Sequence, residues 1–182
     1  MISEIQLVRR GLRIEMDNND DLPFSTQCDD ERMLAPLQLT PLERIADAVS
    51  IGRITVDDVV FDLGCGDGQV LSKVNELTGA TCVGYELDDE LIATCEERFR
   101  DNEMVTIRSS DFMDASFEEA TIIFIFLQMW SIYLLEDKLL AFIGKGKRVV
   151  SYMWHFESFD KRKDVSVATN EGKTIFVYTR VD

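Results

Sequence analysis

Apolar residues along the chain follow two alternating rhythms. Short runs rich in β-branched and aromatic residues fall at Asp58 to Leu63, Ala80 to Tyr85, Met104 to Arg108, Thr121 to Phe126 and Arg148 to His155, and each is short enough to be a strand. Between them the apolar positions change to helical spacing: Leu42, Ile45, Ala46 and Val49, then Val70, Leu71, Val74 and Leu77. Further helices are predicted over Asp89 to Arg100 and Ser131 to Phe142, the last ended by Gly144 and Gly146. The chain closes as a hairpin, Asp164 to Ala168 and Lys173 to Val181 around Asn170-Glu171-Gly172.

Strands alternating with helices imply an α/β doubly wound, mostly parallel sheet with right-handed crossovers. The Thr121–Phe126 run is continuously apolar, as a strand covered on both faces requires. The terminal hairpin must add antiparallel strands at one edge. Thr40 is expected to cap the first helix, with Pro41 at its first position and Glu43 three residues past the cap. Residues 1–35 read as a flexible acidic extension, and 36–182 as the folded domain.

The chemistry concentrates in Asp62-Leu63-Gly64-Cys65-Gly66-Asp67-Gly68. A strand ending in an acid runs into a Gly-rich turn and a helix N-terminus, the layout of a nucleotide cradle. Glu86 ends the next strand about twenty residues on, where such folds place the acid that grips ribose hydroxyls. The glycines are spaced G-x-G-x-G, and Gln69 stands where a dinucleotide fingerprint has its third glycine. Asp62 and Asp67 would repel a diphosphate but attract the ammonium and sulfonium of S-adenosylmethionine. That cofactor, with S-adenosylhomocysteine as product, is therefore expected.

Charge and cysteine usage narrow the partners. A formal charge of −15 argues against a nucleic-acid backbone, which needs clustered Lys and Arg. It favours a basic protein segment instead. No apolar run reaches bilayer-spanning length, and no secretory signal is read. The four cysteines, Cys28, Cys65, Cys82 and Cys95, form no C-x-x-C, and His155 is the sole histidine, so no metal site is expected. The expected compartment is the cytoplasm, or the nucleus, rather than the mitochondrion, and the expected state a monomer.

The loop at 62–68, Glu86, Asp111-Phe112 after the third strand and the closing hairpin resemble the seven-stranded, Rossmann-like class I methyltransferases that use S-adenosylmethionine. A closer resemblance covers about residues 36–180. Thr40-Pro41, Gly84-Tyr85-Glu86-Leu87, Leu134-Leu135-Glu136-Asp137-Lys138-Leu139 and Arg148-Val149-Val150-Ser151 resemble the small protein-lysine methyltransferases, which include the ATP synthase c-subunit and archaeal protein-lysine enzymes. The resemblance implies methyl transfer to the ε-amine of a lysine presented by a protein substrate. It places cofactor contacts at Thr40, Asp62, Gly64, Cys65, Gly66, Gly68, Glu86, Leu87, Asp111 and Phe112, with Phe112 on the adenine and Asp111 accepting from its amino group.

No single residue is read as a catalytic acid, base or nucleophile. A lysine amine with a pKa of about 10.4 can be neutralised by desolvation alone. Substrate-pocket candidates are Trp130 after the fourth strand, and Tyr152, Trp154 and Phe156, expected on one face of the fifth strand by alternation. The Asn-Pro-Pro-Tyr type motif of nucleic-acid amino-methylating enzymes is absent, Phe126-Leu127-Gln128-Met129-Trp130 standing in its place. Two other classes remain open at this point: a methyltransferase for a small molecule or another protein site, and a non-catalytic cofactor-binding subunit.

Overall fold

The computed structural model describes residues 39–127 and 129–181, and side chains throughout these except at 129–133. The expected extension 1–35 and Pro36 lie outside the described residues, as does the side chain of Trp130. Seven strands form one sheet: β1 (Val59–Leu63), β2 (Thr81–Glu86), β3 (Val105–Ser109), β4 (Ile122–Ile125), β5 (Arg148–Tyr152), β6 (Val165–Thr169) and β7 (Ile175–Arg180). Their order is β3-β2-β1-β4-β5-β7-β6. The first five run parallel, whereas β7 pairs antiparallel with both β5 and β6. The order reverses between β1 and β4, and a doubly wound sheet opens its ligand crevice at the carboxyl ends of that pair.

Strand alternation sorts the apolar residues into two cores. Val60, Cys82, Ile122, Phe124 and Val150 face α1 (Leu42–Gly52), α2 (Gln69–Thr78) and α3 (Asp89–Arg98). Phe61, Leu63, Ile123, Ile125 and Val149 face α4 (Met129–Gly144) and the short α5 (Glu157–Asp160). Leu77, expected on the buried face of α2, is instead exposed at that helix's last turn.

At the amino ends of the strands, Asp58 accepts from the Thr55 N–H (2.9 Å), the Thr121 hydroxyl (2.7 Å) and the Arg148 guanidinium. Arg148 also donates to the carbonyls of Gly52 (2.6 Å) and Arg53 (2.9 Å), where α1 ends. One buried acid thus ties α1, β1, β4 and β5 together.

Two further expectations are corrected. Pro41, not Thr40, is the residue that caps α1, and no side chain caps it, because Thr40 is turned inward and buried. The fifth strand stops at Tyr152 rather than running to His155. Met153 takes φ 71°, a left-handed conformation no strand residue can hold, and the Ser151 hydroxyl donates to the Trp154 carbonyl at 2.7 Å to fix the reversal. Alternation therefore fails beyond Tyr152. Tyr152 belongs to the α1–α3 core, while Trp154 and Phe156 pack into the α4 core. His155 joins them there, its ring centroid 4.6 Å from Phe176 and its nitrogens bonded to the Tyr178 hydroxyl (3.0 Å) and Asp160 (2.7 Å).

Candidate functional site

The Gly-rich turn leaves β1 at the reversal point of the sheet, and its shape follows from close approach. Gly68 takes φ 78°, and a Cβ there would lie 2.6 Å from the Phe99 ring of the segment after α3. Gly84 has no unusual dihedral, yet its Cβ would fall 2.5 Å from the Cys65 sulfur and 2.6 Å from Leu71. Real side chains never approach so closely, so β2 must carry a bare backbone where the turn rests on it. The amides of Gly64 and Cys65 donate to the Tyr85 carbonyl, each at 2.9 Å, and fasten the turn to β2.

The Glu86 carboxylate organises the rest. One oxygen accepts from the Gly66 N–H (2.9 Å), the other from Leu87 (2.7 Å) and Asp88 (3.1 Å). A single acid thereby joins the turn after β1 to the one after β2. Asp88 then caps α3 through the amides of Glu90 and Leu91. Asp67, read from sequence as part of the negative loop, pairs instead with Arg98 at 2.8 Å and caps Gln69 N–H at 3.1 Å.

Asp62 is different in kind. It is 3% exposed at the carboxyl end of β1, and among the described residues no group donates a hydrogen bond to it. Burial, with the neighbouring charges of Glu86 and Asp67, pushes its pKa up to about 8. A buried acid without a donor is costly unless a cation completes it. The chemistry of the site, one orphaned carboxyl beside a second carboxylate and a bare backbone turn, suits a nucleoside bearing an ammonium and a sulfonium. It does not suit a diphosphate.

Cys65 and Cys95 fill the floor below the turn. Cys95 donates to the Gly66 carbonyl at 3.1 Å, and the hydrogen bond between the two thiols, with burial beside Asp62 and Glu86, pushes the Cys65 thiol up, away from the nucleophilic thiolate. Residues 110–119 after β3 carry Asp111 and Phe112. Asp111 accepts from the Met113 N–H at 2.9 Å, and Phe112 is buried against the α4 core.

Three features escaped the sequence reading. Gln69, recognised only as a missing glycine, donates through its side-chain amide to the Thr40 carbonyl at 2.5 Å, so the chain entering α1 is tied to the turn. Phe126 was hidden in the apolar Thr121–Phe126 run. It leaves β4 and packs edge-on against Tyr152 at the end of β5, with ring centroids 4.7 Å apart. Lys138, inside the Leu134–Leu139 motif, bonds the loop after β3 rather than lying on a solvated face.

The family model for the ANTKMT methyltransferase domain matches residues 62–163, from Asp62 through the segment after β5. A protein-lysine N-methyltransferase of Saccharolobus islandicus is 27% identical over 148 residues, spanning 79% of this chain and 92% of that protein. An RNA methyltransferase from Salinibacter ruber, solved with S-adenosyl-L-homocysteine, superposes with a TM-score of 0.65 at 26% identity over 78% of this chain and 91% of its own. An O-methyltransferase from Thermotoga maritima shares the fold, with a TM-score of 0.59 at 14% identity over 81% of this chain and 68% of its own. With the orphaned acid, the bare turn and the sheet order already described, these matches place the chain in the ANTKMT methyltransferase domain family, as an S-adenosylmethionine-dependent methyltransferase.

Proposed function

We propose that the methyl acceptor is the ε-amine of a lysine presented by a protein substrate. The observation that carries this reading is the likeness to the Saccharolobus protein-lysine N-methyltransferase along nearly its whole length. The surface supports it: a formal charge of −15 attracts a basic protein segment and repels nucleic acid. The segment after β4 also supports it, since Phe126 and Tyr152 bring aromatic rings to the carboxyl ends of adjacent strands. Aromatic faces favour a cationic amine and its methylated product.

When bound, S-adenosylmethionine supplies an electrophilic methyl group on a sulfonium. Asp62 would pair with the amino-acid ammonium, the Gly64–Gly68 backbone would let the ligand lie close, and Glu86 would turn an oxygen to the ribose hydroxyls. Leu87 and Phe112 would flank the adenine, and Asp111 would accept from its amino group. Thr40, held by Gln69, would close the methionine end. The protein's further task is to desolvate the incoming amine and aim its lone pair, because orientation supplies much of the rate of such a transfer. Burial lowers the amine's pKa without a dedicated base. Trp130 and Trp154 remain candidates for the same pocket, and the enzyme would act in the cytoplasm or nucleus.

The test is transfer of labelled methyl from the cofactor to a cell lysate, with the modified position mapped by mass spectrometry. Label on a protein lysine, lost when that lysine becomes arginine, is the expected result. Label in RNA, the class of acceptor in the name of the Salinibacter protein, or on a small molecule would overturn the proposal.

A further inference from the structure

Residues 110–119, between β3 and β4, carry Asp111 and Phe112 yet contain no helix or strand. Their local bonds are those of a turn: Asp114 N–H to the Asp111 carbonyl (3.1 Å) and Ala115 N–H to that of Phe112 (3.2 Å). Beyond these, the segment is fastened from the other side by lysines. Lys138, in the middle of α4, donates to the carbonyls of Met113 (3.1 Å) and Ala115 (2.5 Å), and its ammonium lies 4.1 Å from the centre of the Phe117 ring. Lys147, just before β5, donates to the carbonyls of Phe117 (3.3 Å) and Glu118 (2.6 Å). Four carbonyls between Met113 and Glu118 are thus held by two ammonium groups, a duty usually left to backbone amides. The two lysines differ in reach. Lys138 grips the turn that begins at Asp111, whereas Lys147 grips only the far end.

We propose that Lys138 is a positioning residue for cofactor recognition, holding the 111–115 turn on α4 so that Asp111 is presented to the adenine amino group. The inference rests on the reading of Asp111 as the acceptor of that amino group. Its geometry is specific to a long cation: three donors can serve two carbonyls and still face a ring, which neither a neutral chain nor a short one can do. Burial draws the ammonium's pKa down, while Asp114 and Asp111 draw it up, so the loop's own acids help keep the clamp charged. Because α4 follows directly on β4, the clamp also links the adenine side to the helix that starts beside the carboxyl end of β4.

The experiment compares binding of S-adenosylhomocysteine with that of S-inosylhomocysteine, in which the 6-amino group is replaced by oxygen. In the unaltered protein the adenine form should bind about tenfold to a hundredfold more tightly, as expected when a donor to a carboxylate is lost. Lys138→Met should bring this ratio close to one, and Lys138→Arg, which retains donors and charge, should restore most of it. Lys147→Met serves as the control and should leave the ratio unchanged, whatever it does to melting temperature. A Lys138→Met protein that melts earlier or binds both ligands more weakly, yet keeps the full ratio, would overturn the positioning role. Absence of any adenine preference in the unaltered protein would overturn the Asp111 reading itself.

Discussion

Replacing Asp62 by Asn should make the protein more stable and a poorer ligand binder, with both effects depending on pH. The buried carboxyl has its pKa pushed up to about 8 from an ordinary 3.8, so the folded chain binds a proton that the unfolded chain releases throughout that interval. The sign follows: wild-type stability falls as pH rises from about 4 to about 8 and levels off above, where both states are ionised. The cost accumulated by neutral pH is on the order of 4 kcal/mol, at about 1.4 kcal/mol for each pH step. An Asn side chain carries no such ionisation. The two proteins should therefore melt together near pH 4 and separate as pH rises, the variant leading by about 8–16 °C at neutral pH, at about 2–4 °C per kcal/mol in a chain of this size. Ligand reverses the order. An ammonium beside Asp62 favours its ionised form, so wild-type affinity for S-adenosylhomocysteine should climb with pH towards 8, and that of the variant should stay low and flat. Scanning calorimetry of both proteins from pH 4 to 9, with and without the product, measures all of this. A melting difference that does not change with pH would refute the reasoning, because it would mean that Asp62 is already ionised and paired.

Gly84→Ala should displace the Gly-rich turn, whose Cys65 sulfur would stand 2.5 Å from the new carbon; calorimetric titration should show cofactor affinity lost by more than tenfold while circular dichroism still reports a folded sheet. Phe126→Leu and Tyr152→Leu should each cost about 1–2 kcal/mol in stability by melting. Steady-state kinetics should show turnover falling by a further factor of about 2–30, the range expected when one aromatic face near a cation is removed. Arg148→Met should destabilise by about 3 kcal/mol in urea melts, since it strands the buried Asp58. Burial pushes the Asp58 carboxyl up, but its bonds from Thr55, Thr121 and Arg148 together hold it below the ordinary range, so its contribution is present above about pH 4 and lost as pH falls further. The variant should accordingly lose less stability than wild type on acidification, which urea melts at pH 3 and 6 would show.

The parallel sheet was legible because strand and helix periods alternate cleanly from Val59 to Gly144, and the Gly-rich turn because its acids and glycines are contiguous. What stayed hidden depends on contacts across long sequence distances. Nothing local announces that Gln69 reaches Thr40, or that Asp67 is neutralised by Arg98, thirty-one residues on. The aromatic face expected at Tyr152, Trp154 and Phe156 failed for a different reason. It assumed that a period of two persists, and a single left-handed residue, Met153, ends the strand without any glycine to signal it. The helix over Glu157–Asp160 is four residues long, too short for any periodic signal.

The junction of Asp58, Thr121 and Arg148 lies at one rim of the sheet, and the orphaned Asp62 with its bare turn at the other. The two rims are joined by β1, whose five residues span both. A chain built this way can drift in its chemistry without unravelling, because altering which acceptor is taken touches only one end of the strands. Heritable variation should be partitioned accordingly: changes around 52–58, 121 and 148 would surface as loss of protein abundance, changes around 62–68 and 84–88 as loss of cofactor binding, and changes at 126 as altered acceptor choice. A library selected only for abundance would thus constrain the first group more tightly than the acceptor side. It is from that side that new acceptors could be recruited.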